Sequence, residues 1–203
     1  LNQENHISNH EEVNFHLWQL FKAGDADALG KLAQIHYRVL YHYGSKFSTD
    51  TDFVRDCIQE LYLELWERRS FLSETPFVKS YLLKALRHRL IKESKRLRRF
   101  QEPQLLEFDS DENEHPVEES IIENENATSV LKKLNQIISQ LSKRQQEVIY
   151  LRFYQNLEND DISHIMGLGK QSVANLLYRT IKEIKGIWIP AEFIWLLLIP
   201  NFI

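Results

Sequence analysis

Apolar residues along the chain recur at spacings of three and four, the period of helices that bury one face. Val13, Leu17, Leu20 and Phe21 form a first stripe, and Leu29, Leu32, Ile35, Val39 and Leu40 form a second. The segment KAGDAD parts them, with Asp25 placed to cap the second helix. Residues 48–52, Ser-Thr-Asp-Thr-Asp, open a third helix whose stripe is Val54, Ile58, Leu61 and Leu65. SFLSETP breaks that helix, and Pro76 stands where a first-turn proline starts a fourth, over about Phe77 to Arg99. Residues 1–11 are polar and are expected to be disordered.

Helical patterning resumes near Ser129 and runs to Lys185. A first element ends near Ser139, and Ser142 is placed to cap the next, which carries Val148, Ile149 and Leu151. The stretch ISHIMGLGKQSVANLLYR, residues 162–179, sets Gly167 and Gly169 between two short periodic runs. Glycine inside a helix costs roughly 0.5–1 kcal/mol, a cost that a sharp turn explains. Ile162, Ile165 and Met166 share a face before the break; Val173, Leu177, Ile181 and Ile184 share one after it. Two helices joined in this way read as a helix-turn-helix. The second would offer Gln171, Ser172, Asn175 and Arg179 on its outer side. No convincing strand is visible. The expected fold class is all-α: two helical domains joined by a flexible acidic linker, the C-terminal one a helix-turn-helix. The expected boundaries are 12–100, 101–127 for the linker, 128–186, and 187–203 for an apolar extension.

Charge sharpens this division. The 203 residues carry 25 Lys and Arg against 29 Asp and Glu, a net charge of −4, so the protein is not basic in bulk. Its charges are segregated instead. Residues 102–125 hold ten Asp or Glu, no Lys or Arg, and both Pro103 and Pro116, the composition of a solvated linker. Residues 78–99 hold nine Lys or Arg and one Glu. At helical spacing Lys84, Arg87, His88, Lys95 and Arg98 fall within roughly one-quarter of the circumference, with Leu82, Leu86, Leu90 and Leu97 about opposite. The apolar side can pack while the basic side meets a phosphate backbone and releases counterions. The linker's carboxylates would compete with DNA for that basic side.

The single cysteine, Cys57, excludes an intramolecular disulfide and reads as a small buried hydrophobe. No signal peptide is visible. The apolar end IWIPAEFIWLLLIPNFI, residues 187–203, contains Pro190, Glu192 and Pro200 and falls short of the about 20 residues a spanning helix needs. A cytoplasmic protein is the expectation, and the tail is expected to fold back on the C-terminal domain or to contact the N-terminal domain or a regulator. There is no HExxH pattern, no second cysteine and no Gly-rich nucleotide loop. Hence no enzyme activity, metal, cofactor, small-molecule substrate or direct membrane contact is expected.

Three stretches together resemble bacterial RNA polymerase sigma factors of the compact extracytoplasmic-function group. DCIQELYLELW, residues 56–66, resembles the helix that holds the polymerase clamp. FVKSYLLKALRHRLIKESKRLRR, residues 77–99, resembles the helices that recognise and open the promoter −10 element. Residues 141–185 resemble the helix-turn-helix domain that docks on the −35 element. The resemblance implies core RNA polymerase, promoter DNA and an inhibitory anti-sigma protein as partners. It implies core-polymerase contacts from Asp56, Gln59, Glu60, Tyr62 and Trp66, with Arg55 and Glu64 at the rim. Gln59 and Glu60 should point outward, Leu61 and Leu65 inward. For the −10 element it implies Tyr81, Lys84, Arg87, His88, Lys92 and Lys95, with the loop Ser70–Thr75 receiving an extruded base. For the −35 element it implies Arg144, Lys170, Gln171, Ser172, Asn175 and Arg179. Arg55, Tyr81, His88, Lys92 and Gly169 depart from the residues usual in the family, where an acid, tryptophan, asparagine, aspartate and a serine-type cap are common. Two other readings fit parts of the chain: a stand-alone helix-turn-helix transcriptional regulator, and a helical protein that sequesters a partner without binding DNA.

Overall fold

The computed structural model describes residues 2–101 and 133–188. Among these the chain is helical and has no strand, so the all-α expectation holds. Helix α1 spans Asn2–Lys22, α2 Ala26–Gly44, α3 Thr51–Arg68 and α4 Val78–Gln101, with a 3-10 turn, Arg69–Phe71, after α3. Residues 133–139 are helical. Then come α5 (Lys143–Ile149), a π-helical turn (Tyr150–Tyr154), α6 (Asn159–Met166) and α7 (Lys170–Trp188). The chain divides into two compact units, the first holding α1–α4 and the second holding residues 133–139, α5 and α7. The expected acidic linker, the start near Ser129 and the tail beyond residue 188 lie outside the described residues.

The first unit closes around Leu17, Trp18 and Phe21 of α1, Leu32, Leu40 and Tyr43 of α2, Ile58, Leu61 and Leu65 of α3, and Leu82, Leu83, Leu86 and Leu90 of α4, all buried. The α3 stripe is the one expected. On α4, Leu82, Leu86 and Leu90 are buried as expected, whereas the stripes of α1 and α2 are rotated. On α1, Trp18 is fully buried while Val13 and Leu20 are exposed. On α2 the inward line is Ala28, Leu32, His36, Leu40 and Tyr43, and Ile35 is exposed. Small Ala28 and polar His36 carry little hydropathy, so their place in the packing is invisible to it. Leu97 is exposed near the end of α4. Residues 2–11 are helical rather than disordered. They hold no Pro or Gly, and extending a formed helix avoids the cost of nucleating one.

Helix starts follow cap chemistry. The Asp25 carboxylate accepts from the amides of Asp27 and Ala28 at 2.9 and 3.1 Å. Asp50 does the same for Asp52 and Phe53 at 3.1 and 3.0 Å. Each cap contributes about 1 kcal/mol. Pro76 is not in the first turn of α4, which begins at Val78. The Phe77 amide instead donates to the Thr75 hydroxyl at 3.2 Å, so Pro76 shapes the turn before the helix. Gly44 lets α2 approach α3: a Cβ there would meet Val54 Cγ1 at 2.5 Å. Cys57 is buried as expected, and burial pushes its thiol up to about 11, out of the reactive range.

His36 makes the first unit pH-sensitive. Its ring is buried, its Nε2 has no hydrogen-bond partner, and burial, with Lys79 nearby, lowers its pKa to about 4. The unfolded chain binds the proton below about pH 6.5, whereas the folded chain refuses it until about pH 4. Stability should therefore fall as pH drops through that window, by about 3 kcal/mol in all. Urea midpoints at pH 7, 5.5 and 4.5 check this. The slope should flatten in His36→Leu, and an equal slope in that variant would assign the loss to other groups.

In the second unit Ile137, Leu141, Val148, Ile149, Leu151, Leu157, Ile162, Val173 and Leu177 are buried. Ser142 caps α5 in a reciprocal box: its hydroxyl accepts from the Gln145 amide at 3.4 Å, and Gln145 Oε1 accepts from the Ser142 amide at 3.0 Å. Gln145 Nε2 also donates to Glu183 on α7 at 2.6 Å, tying α5 to α7. The π-helical turn was not legible in the sequence; it leaves Phe153 and Tyr154 exposed.

Candidate functional site

On α3 the buried residues Val54, Ile58, Leu61 and Leu65 fix one side, so the opposite side must face water. Asp56, Gln59 and Glu60 lie there, exposed. Leu61 and Leu65 point inward and Gln59 and Glu60 outward. Leu63 shares the outer face at 57% exposure. It sits at the i+7 position from Asp56, a signal present in the sequence but not assigned to the site. Tyr62 and Trp66 flank that face instead of occupying it. The Tyr62 hydroxyl is buried without a partner, and burial raises its pKa. Trp66 is half-buried, 6.4 Å from the Phe21 ring, and the Arg69 guanidinium lies 4.2 Å over it.

On α4, Leu82, Leu83, Leu86 and Leu90 anchor the inner side. Lys84, His88, Lys92 and Lys95 are exposed together on the outer side. Arg87 is half-buried at its edge. Tyr81 falls on the same helical side, yet its ring is half-buried and meets Trp18 edge-on at 5.1 Å. Trp18 Nε1–H donates to the Ser73 carbonyl at 3.2 Å. One buried indole thus fixes both the loop before α4 and the aromatic ring on its first turns. The loop is not wholly polar: Phe71 is 84% exposed, and Phe77 beside it is also exposed. Composition alone gave no reason to place these rings in water.

The turn between α6 and α7 is three residues long. Gly167 adopts φ +64°, and the Leu168 amide donates to the Ser163 carbonyl at 3.0 Å, a left-handed helix cap that explains the first glycine. The second, Gly169, immediately precedes α7, and its carbonyl accepts from the Val173 amide at 3.1 Å. Val173, Leu177 and Thr180 face inward. Lys170, Gln171, Ser172, Asn175 and Arg179 are all exposed, as is Arg144 near the start of α5. Lys170 pairs with Asp160 at 2.6 Å, and Gln171 Nε2 donates to Asn175 Oδ1 at 3.4 Å. Tyr178, 69% exposed, joins Gln171 on the same line at i+7. Its spacing could have nominated it. The face thus offers amides, cations and one aromatic ring along a helix whose free N-terminal amides favour an anion.

Among the described residues no group of His, Cys, Asp and Glu is arranged to hold a metal ion, and no helix is long and apolar enough to cross a membrane. No curated protein matches the chain. Residues 131–184 match the family described as Sigma-70, region 4. Two solved structures of similar fold cover most of the chain. One is CnrH in complex with the cytosolic domain of CnrY, at 16% identity and TM-score 0.58, covering 86% of this chain and 96% of that one. The other is the sigma factor RpoE from Bartonella quintana in complex with the anti-sigma factor NepR. It has 16% identity and TM-score 0.59, with 78% of this chain and 94% of that chain covered. At such identity the likeness is one of fold. Residues 131–184 thus match sigma-70 region 4, and the chain shares its fold with the sigma factor RpoE.

Proposed function

We propose that this protein directs promoter-specific transcription initiation as an RNA polymerase sigma factor. Residues 12–100 would bind core polymerase and the −10 element, residues 101–127 would tether, and residues 128–186 would bind the −35 element. The observation that carries the reading is the exposure of three polar faces, each on a motif in the family's order. These are Asp56, Gln59 and Glu60 on α3, Lys84, His88, Lys92 and Lys95 on α4, and Gln171, Asn175 and Arg179 on α7. The chemistry suits the roles. Carboxylates and an amide meet a basic protein surface. A cationic face with aromatic rings nearby favours unpaired strands. Amides on a helix-turn-helix read base edges. The polymerase would supply the catalysis, so this chain needs no cofactor. An anti-sigma protein is a further partner, supported by the RpoE–NepR complex among similar structures. The cytoplasm is the compartment where these partners meet.

Co-purification with core polymerase tests the reading. Retention of the full chain on core enzyme is expected. A chain that binds DNA but not core would instead be a stand-alone regulator, and one that binds neither would be a sequestering protein. Within the reading, Gln171→Ala or Asn175→Ala should change the preferred −35 bases, with discrimination at one position falling about 10-fold. Binding to a panel of −35 variants checks this. A uniform loss across the panel would make these residues backbone contacts.

A further inference from the structure

Arg89 is a cation of α4 that does not join the basic face. One residue beyond His88, it turns about 100° toward the leucines, and its side chain is 19% exposed. Its Nη2 bonds the Glu64 carboxylate, and its Nη1 lies 3.7 Å from Glu60. Glu64 in turn accepts from Arg68 at 3.1 Å. Hydrogen bonds from Arg68 and then Arg89 hold its pKa down. Glu60 is 62% exposed and its pair is loose, so it retains oxygens for another cation. The leucines of α4 would tolerate some rotation about the helix axis, because apolar packing has little directionality. An arginine bonded to a carboxylate on the neighbouring helix is directional.

We propose that Arg89 is a positioning residue: through Glu64 and Glu60 it fixes the rotation of α4 and couples the polymerase-facing side of α3 to the promoter-facing side of α4. This rests on the function proposed above. A basic surface arriving at Glu60 changes the charge that Arg89 senses. Reciprocity then requires that the setting of α4 alter the affinity of α3 for that surface.

The experiment is a double-mutant cycle on the full chain with Arg89→Met, Glu64→Gln and the pair. Each protein is assayed in urea, and with core polymerase for opening of a −10 element carrying 2-aminopurine. Each single variant should slow opening about 10-fold, and the double variant should be no slower than either. Arg89→Lys should recover part of the loss. Promoter affinity should keep its salt dependence. Effects that multiply in opening while the pair is coupled in urea would make the pair structural only and overturn the proposal, as would effects that add in both assays. A salt slope reduced by about one in Arg89→Met alone would mean a phosphate contact, and would overturn it too. If the unmodified chain opens no promoter, the sigma function fails and with it the promoter half of the proposal. The urea cycle would then still decide whether Arg89 links the two helices.

Discussion

Glu60→Lys is expected to weaken association with core polymerase about 100-fold, because reversing one charge in a complementary contact adds repulsion to the lost attraction. Glu60 stands on the outer side of α3 with Asp56 and Gln59, and nothing covers its carboxylate beyond the 3.7 Å approach of Arg89. Loss of so loose and exposed a pair costs the fold at most about 1 kcal/mol. Circular dichroism and thermal melting should therefore be nearly unchanged while binding collapses. Titration of labelled chain with core enzyme separates the two effects. Unchanged affinity would move the polymerase contact off this face.

The largest loss of stability is expected from Trp18→Ala. The indole is fully buried, meets Phe21 at 5.4 Å and Tyr81 at 5.1 Å edge-on, and bonds the Ser73 carbonyl. Removing a buried tryptophan leaves a cavity that the surroundings fill only in part, at a cost of about 3–5 kcal/mol. Trp18→Phe keeps most of the packing and loses the hydrogen bond, so its cost should be smaller, about 1 kcal/mol. Urea unfolding followed by circular dichroism measures both. A loss in Trp18→Ala below about 1 kcal/mol would show that the site closes over. The same variant should loosen the turn before α4 and free the Tyr81 ring, so amide hydrogen exchange in that turn should speed up.

What the sequence made legible follows the strength of each local signal. The α3 stripe was plain because four large aliphatic residues occur at ideal spacing and all four are buried. Caps were plain at Asp25 and Ser142 because a short polar side chain before a periodic run has few other uses. The glycines of the helix-turn-helix were plain because Gly167 needs a positive φ. The α2 face was misread because Ala28 and His36 pack inward without being strongly apolar. Exposure of Phe71, Leu63 and Tyr178 ran against the expectation that large apolar groups turn inward, and one sequence gives no sign of a partner that would cover them. The Arg89–Glu64 pair joins residues 25 positions apart on two helices. Its register depends on how α3 and α4 pack, which no local pattern encodes.

The central claim is that the exposed faces of α3, α4 and α7 act together on one polymerase and one promoter. Genome-wide run-off transcription with purified core polymerase, with and without the full chain, tests it most directly. New transcripts starting downstream of a shared pair of elements, about one −10 to −35 spacing apart, are the result expected. Their loss in Glu60→Lys and altered −35 preference in Asn175→Ala would join all three faces to that activity. No new start site in the presence of the intact chain, at concentrations that saturate core enzyme, would contradict the account.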